Sequence, residues 1–170
     1  MLAGLETNDR RALASVSTTT ATILQALGTG AHVLGINNIY GGTFRYMSKM
    51  ASQLQGLETT FVDFNSATDE AVLASIRLNT KLIWGETLTN PTLRLLPIAH
   101  ITSLIHSLPV ASRPLIATDS TFLSPLYDSP LAAPISGDLA VPSITIHQRP
   151  LRRPHGRYHP PQRPHRRSIW

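Results

Sequence analysis

A chain of 170 residues holds one ordinary domain with a single core, and its lack of cysteine excludes disulfides, thiol nucleophiles and cysteine-based metal sites. Its net charge of +5 is a poor guide to partners, because the seven arginines from Arg149 to Arg167 face no acidic residue. The stretch from His147 onward therefore carries +7, which leaves −2 for residues 1–146.

No apolar run approaches the roughly 20 residues that cross a bilayer, and the amino terminus lacks a basic-then-apolar signal pattern. The expectation is a cytoplasmic protein without a membrane partner. Residues 147–170, rich in Pro, His and Arg, cannot bury enough apolar surface to fold alone and are expected to be disordered.

Taken in chain order, the body alternates helices and strands. Residues Thr18 to Leu27 predict a helix stopped at Gly28, where glycine tolerates a left-handed cap. HVLGI (32–36) reads as a strand, and GTFRYMSKMASQLQ (42–55) as an amphipathic helix. ETTFVDF (58–64) is the next strand; DEAVLASIR (69–77) is a helix with Thr68 as its N-cap; KLIWGE (81–86) is a strand again. A helix from Pro97, then PLIATD (114–119) and DLAVPSIT (138–145), complete the series. Strands alternating with helices of this length need crossover connections, hence an α/β fold with a mostly parallel sheet and flanking helices.

Polar residues recur at the carboxyl ends of these strands. Tyr40 opens YGGTFRY directly after the first, Glu86 to Asn90 follow another, Asp119 closes a third, and Ser143 and Thr145 close the last. Taken singly, an Asp at a strand end is a cap or turn former, and Gly41-Gly42 is a turn. Their shared address at one edge of a parallel sheet points to a ligand crevice.

Together these pieces resemble the Cys/Met-metabolism family of pyridoxal-phosphate enzymes, and most closely its cystathionine γ-lyases. The resemblance covers roughly residues 10–145 and rests on ASVSTTTATI around Ser15, YGGTFRY at Tyr40, ETLTNPT at Glu86 and DSTFLSP at Asp119, followed by SIT at Ser143. It implies that residues 1–146 are part of the large domain of a fold-type I transferase that binds pyridoxal 5'-phosphate (PLP).

It also implies roles. Tyr40 would stack on the cofactor ring, a contact worth on the order of 1 kcal/mol beyond burial. Asp119 would pair with the protonated pyridine nitrogen, Asn90 would donate to the phenolic oxygen, and Glu86 would orient the loop that carries Asn90. Ser143, Thr145 and the backbone near Ser17, at a helix start, would hold the phosphate. The substrate would be an amino acid such as cystathionine, cleaved to cysteine, 2-oxobutyrate and ammonia. γ-Lyases, γ-synthases, β-lyases and methionine γ-lyases share these motifs, so the motifs do not choose among those reactions. Members assemble as dimers of dimers; the amino-terminal arm and the carboxy-terminal domain that the resemblance calls for are expected to be missing here.

The chain departs from the pattern at decisive points. The position after Ser143–Thr145 calls for the lysine that forms the Schiff base, but it is Ile146, which can neither form an imine nor move a proton. The two lysines of the chain, Lys49 and Lys81, lie on a predicted helix and at a strand start. Val16 stands where a glycine is usual, Ser120 replaces an asparagine, Leu88 replaces a proline, and Pro142 precedes Ser143. Attachment of the cofactor is therefore expected to be non-covalent at best, and no turnover is expected.

The genetic code suggests how Ile146 arose. Back-translated and read from the second base of its codon, IHQRPLRRPHGRYH permits Tyr-Ile-Asn-Gly-His-Ser-Asp-Val-Leu-Met-Gly-Ala-Ile, which resembles the family segment that follows the lysine. A frameshift or a misplaced splice boundary explains this; the alternative is a non-catalytic remnant or binding module whose basic tail contacts nucleic acid or another acidic partner.

Overall fold

In the computed structural model, residues 15–123 and 127–143 are described. Five strands, β1 (His32–Ile36), β2 (Glu58–Val62), β3 (Thr80–Glu86), β4 (Leu115–Asp119) and β5 (Leu139–Ala140), form one sheet in the order β2-β1-β3-β4-β5. Every pairing is parallel. Strand β1 is buried along its whole length and β3 at every residue but Lys81, as expected for near-continuous apolar strands covered on both faces. Val33, Leu34, Ile36, Leu82, Ile83, Trp84 and Ile116 form the centre of the core.

Helix α1 (Val16–Ala26) starts at Ser15, whose Oγ accepts from the Thr18 amide at 3.2 Å, and ends just before Gly28 at φ +86°. Helix α2 (Gly41–Arg45) runs into a π-helical segment (Tyr46–Ala51) and then α3 (Ser52–Gln55), where the sequence pattern predicts one regular helix. Helix α4 (Asp69–Ala74) is capped by Thr68, whose Oγ1 accepts from the Ala71 amide at 3.3 Å, with Asp69 and Glu70 complementing its positive end. Helix α5 (Ile98–His106) buries Ile98, Ile101, Thr102 and Ile105, the i, i+3, i+4, i+7 stripe of an amphipathic helix.

Several expected boundaries move, each for a local reason. Strand β2 ends at Val62 rather than Phe64, because the Asp63 Oδ1 accepts from the Asn65 amide at 3.0 Å and turns the chain. Helix α4 stops at Ala74, three residues short, and the Arg77 amide donates instead to the Thr80 Oγ1 at 2.7 Å. The strand expected over 138–145 is two residues long among the described residues; Pro142 has no N–H to continue the ladder. Tyr40 does not follow β1 directly: three residues intervene, and Tyr40 is the N-cap residue of α2.

The winding of the sheet locates its crevice. From β1 the chain crosses through α2 and α3 to β2 on one side, then returns past β1 to β3 and continues through α5 to β4 on the other. With right-handed crossovers this reversal puts the two sets of helices on opposite faces. The loops leaving the carboxyl ends of β1 and β3 therefore diverge, and the space between them is the topological switch point at which open α/β sheets bind ligands.

Candidate functional site

The segment after β1 and the end of β3 meet across that switch point. The Tyr40 amide donates to the Glu86 Oε2 at 2.7 Å, and the Asn90 amide also donates to the Glu86 carboxylate. The loop carrying Asn90 is closed by the Thr89 amide donating to the Arg94 carbonyl at 3.0 Å and by the Arg94 amide donating to the Thr89 Oγ1 at 3.0 Å. Glu86 is in register with Asp119 on β4, and the Thr87 amide donates to the Asp119 carbonyl at 2.9 Å. The Asp119 Oδ1 accepts from the Thr121 amide at 3.0 Å and from the Thr121 hydroxyl. The Thr121 Oγ1 in turn accepts from the Ser143 amide at 2.9 Å. A continuous chain of contacts thus runs from Tyr40 through Glu86 and Asp119 to Ser143.

Both carboxylates are buried, each 4% exposed, and no described cation pairs with either. Burial pushes the Glu86 carboxyl up to about 7, the Asp119 charge adds to that, and the amides of Tyr40 and Asn90 oppose it. Burial also raises Asp119, against its hydrogen bonds from Thr121. A buried carboxylate without a counter-charge is suited to a cationic ligand group, and a protonated pyridine nitrogen is such a group. The hydroxyls of Thr118 and Ser120, on either side of Asp119, are buried without hydrogen-bond partners. On this donor set the described residues fit a PLP ring.

Tyr40 is half exposed, which leaves its ring available to a planar ligand. The ring folds back over Gly42, where an added Cβ would lie 2.4 Å from the Tyr40 Cε1. A side chain there would have to push the ring aside, so glycine serves this close approach and not a turn, because Gly42 has no positive φ and lies inside α2.

The remaining expected residues are less connected. Ser17 lies exposed in the first turn of α1 and makes no hydrogen bond to the others among the described residues. Thr145, Ile146 and the basic tail lie outside the described residues. Val16 is partly buried and packs against the core. Two further participants emerge from the structure: Thr121, signalled in sequence by an Asp with a hydroxyl residue two positions on, and Gly42, which sequence shows only as half of a glycine pair. A groove at the amino-terminal edge of the sheet, lined in part by Arg77, Lys81 and Arg113, contains none of the expected residues.

Fold and site together define an α/β protein whose Tyr40, Glu86, Asn90 and Asp119 are gathered at the carboxyl edge of a parallel sheet. The family profile described as Cys/Met metabolism PLP-dependent enzyme matches residues 1–147, and the chain belongs to that family, whose cofactor is PLP. It is 42% identical over 134 residues to the cystathionine gamma-lyase of Saccharomyces cerevisiae, an alignment covering 79% of this chain and 32% of that protein. It is 37% identical over 124 residues to a probable cystathionine gamma-synthase of Herpetosiphon aurantiacus, covering 73% and 36%. The crystal structure of a cystathionine gamma-lyase from Micromonospora echinospora superposes with a TM-score of 0.70 at 28% identity, covering 82% of this chain and 35% of that one. The chain spans about a third of the length of these relatives.

Proposed function

We propose that this chain is the ring-holding portion of a PLP-dependent carbon–sulfur lyase of the cystathionine γ-lyase type, and that as written it binds the cofactor without turning over substrate. The observation that carries this is the convergence of Tyr40, Glu86, Asn90 and Asp119 on one crevice through the contacts of Glu86 and the β3–β4 register. In this reading Asp119 holds the cationic ring nitrogen, the half-exposed Tyr40 covers a ring face, Asn90 meets the phenolic oxygen, and Ser143, Thr145 and the backbone near Ser17 hold the phosphate. When bound, PLP supplies the electron sink that lets a substrate carbon lose a proton and expel a sulfur leaving group.

In this reading the chain lacks the lysine that would move that proton. Residue 146 is isoleucine where covalent attachment and proton transfer call for lysine. The match to the family profile runs to residue 147, beside the position where the shifted reading begins, which supports a break in frame. In the parent enzyme the reaction would be γ-elimination of cystathionine, an amino-acid substrate, within a homo-oligomer.

Two experiments test this. Titration of the purified chain with PLP, followed by absorbance and borohydride treatment, is expected to give saturable binding with no reduced adduct on the protein. A borohydride-stable adduct on one specific lysine would overturn the non-covalent assignment. Sequencing the transcript across the codons for Ser143 to His155 is expected to show a lysine codon followed by the shifted frame; Ile146 and the tail as written would leave a binding role as the function of the product.

A further inference from the structure

We propose that Glu86 is the positioning residue of Tyr40: it fixes the tyrosine at the head of α2 by accepting its main-chain amide across the switch point, so that ring placement depends on a carboxylate from another strand. This rests on the reading of Tyr40 as the residue that covers the cofactor ring. It assigns Glu86 a second segment to hold, beyond the loop that carries Asn90.

Three observations support it. Tyr40 heads α2 with φ −49° and ψ 129° and has no side-chain cap, so the 2.7 Å contact with Glu86 is the described hydrogen bond that ties its amide to the sheet. The same carboxylate accepts from the Asn90 amide, so one side chain joins two segments that diverge from the sheet on opposite sides. Finally, Glu86 is buried with no described cation beside it, a setting in which a carboxylate costs stability unless its hydrogen bonds organise something.

The charge matters because an ionised carboxylate accepts both amides strongly, whereas a protonated one turns an acceptor oxygen into a donor. The titratable group that faces Glu86 is Asp119, on the neighbouring strand; Tyr40 and Asn90 contribute neutral amides from the other side. Protonation of Glu86 removes the charge and leaves one acceptor oxygen for two amides, and so weakens its hold on Tyr40 and the Asn90 loop.

The test uses the full chain and its Glu86→Gln variant. Amide hydrogen exchange, followed by mass spectrometry at pH 8, is expected to speed up about tenfold or more in peptides covering residues 38–44 and 87–92, with β1 and α5 unchanged. Unchanged exchange in the Tyr40 peptide would overturn the proposal. Should the variant not fold, the wild-type chain compared at pH 8 and pH 6, corrected for intrinsic exchange, decides the same point: protection at Tyr40 must fall at the lower pH relative to β1, and equal protection at the two pH values overturns the proposal.

The link to the cofactor is read separately, by PLP titration of wild type, Glu86→Gln, Tyr40→Ala and the double variant. If Glu86 acts in part through Tyr40, the double variant loses less than the sum of the two single losses, the remainder being its hold on the Asn90 loop, whereas fully additive losses would show that Glu86 does not act through Tyr40. Absence of PLP binding by the wild-type chain would sink the cofactor reading, while exchange would still decide whether Glu86 holds Tyr40.

Discussion

If Glu86 is retained for placement, it should weaken the fold, and that cost can be worked from its ionisation. The folded carboxyl is pushed up from 4.5 to about 7. Between these values the unfolded chain has released its proton while the folded chain still holds it, so stability falls as pH rises through this window and levels off above it. At about 1.4 kcal/mol per pH unit, the interval from 4.5 to about 7 amounts to about 3 kcal/mol. Glu86→Gln removes this ionisation while keeping the shape. Urea unfolding of both proteins from pH 4 to pH 8, followed by fluorescence of the buried Trp84, should show similar stability at pH 4 and a variant more stable by about 3 kcal/mol at pH 8. The repulsion between Glu86 and Asp119 is already contained in this rise, so Asp119 adds no second contribution to the difference. Parallel pH profiles would refute the reasoning. So would a variant that loses stability at pH 8, since the amide contacts of Glu86 would then outweigh its desolvation.

Other variants separate the parts of the site. Gly42→Ala should displace the Tyr40 ring and lower PLP affinity several-fold, yet leave the melting temperature unchanged or slightly higher, because alanine is favoured over glycine within a helix by about 1 kcal/mol; thermal melts and titration check both. Asp119→Asn should cut PLP affinity at least about tenfold and bring the Glu86 pKa down from about 7, visible as a shift of the stability profile toward lower pH. His32 is buried, with its ring nitrogens 2.7 Å from the Thr80 Oγ1 and 2.9 Å from the Thr60 Oγ1, and burial holds its pKa below 6.5. Its contribution is full above 6.5 and is lost as pH falls below it, opposite in sign to Glu86. In a Glu86→Gln background, stability should therefore decline on acidification below pH 6.5, and His32→Gln should flatten that decline.

The fold was legible in the sequence where one physical signal dominated. HVLGI and KLIWGE are apolar runs too short to be helices, and both proved to be strands buried along nearly their whole length. Thr68 and Gly28 were readable because a cap and a stop each depend on one residue's chemistry. Boundaries failed where two local signals competed: Phe64 is apolar enough to extend β2, but Asp63 bends the chain first. The end of β5 is of the same kind, since Val141 is apolar and its amide still donates to the Thr118 carbonyl at 2.8 Å, while Pro142 cannot follow. The common address of Tyr40, Glu86, Asn90 and Asp119 was also legible, because alternation of strand and helix forces the carboxyl ends to one edge. Neither the Glu86–Tyr40 contact nor the glycine beneath the Tyr40 ring was legible, because each depends on how loops from different strands meet.

That difference bears on how chemistry and placement are distributed along the chain. The contacts that place Tyr40, Asn90 and Asp119 come from β3, β4 and the segments that leave β1, β3 and β4, all before residue 122. Position 146, where the family pattern calls for a lysine, lies outside the described residues, and the contacts named here are made without it. On the proposed reading, a change of frame at that codon would remove the lysine while leaving the contacts among Tyr40, Glu86, Asn90 and Asp119 in place. If so, the buried carboxylates continue to cost stability in a chain that no longer performs the reaction. Relaxed selection would be expected to replace them early, whereas a gene-model break over an intact gene would keep both, as this chain does.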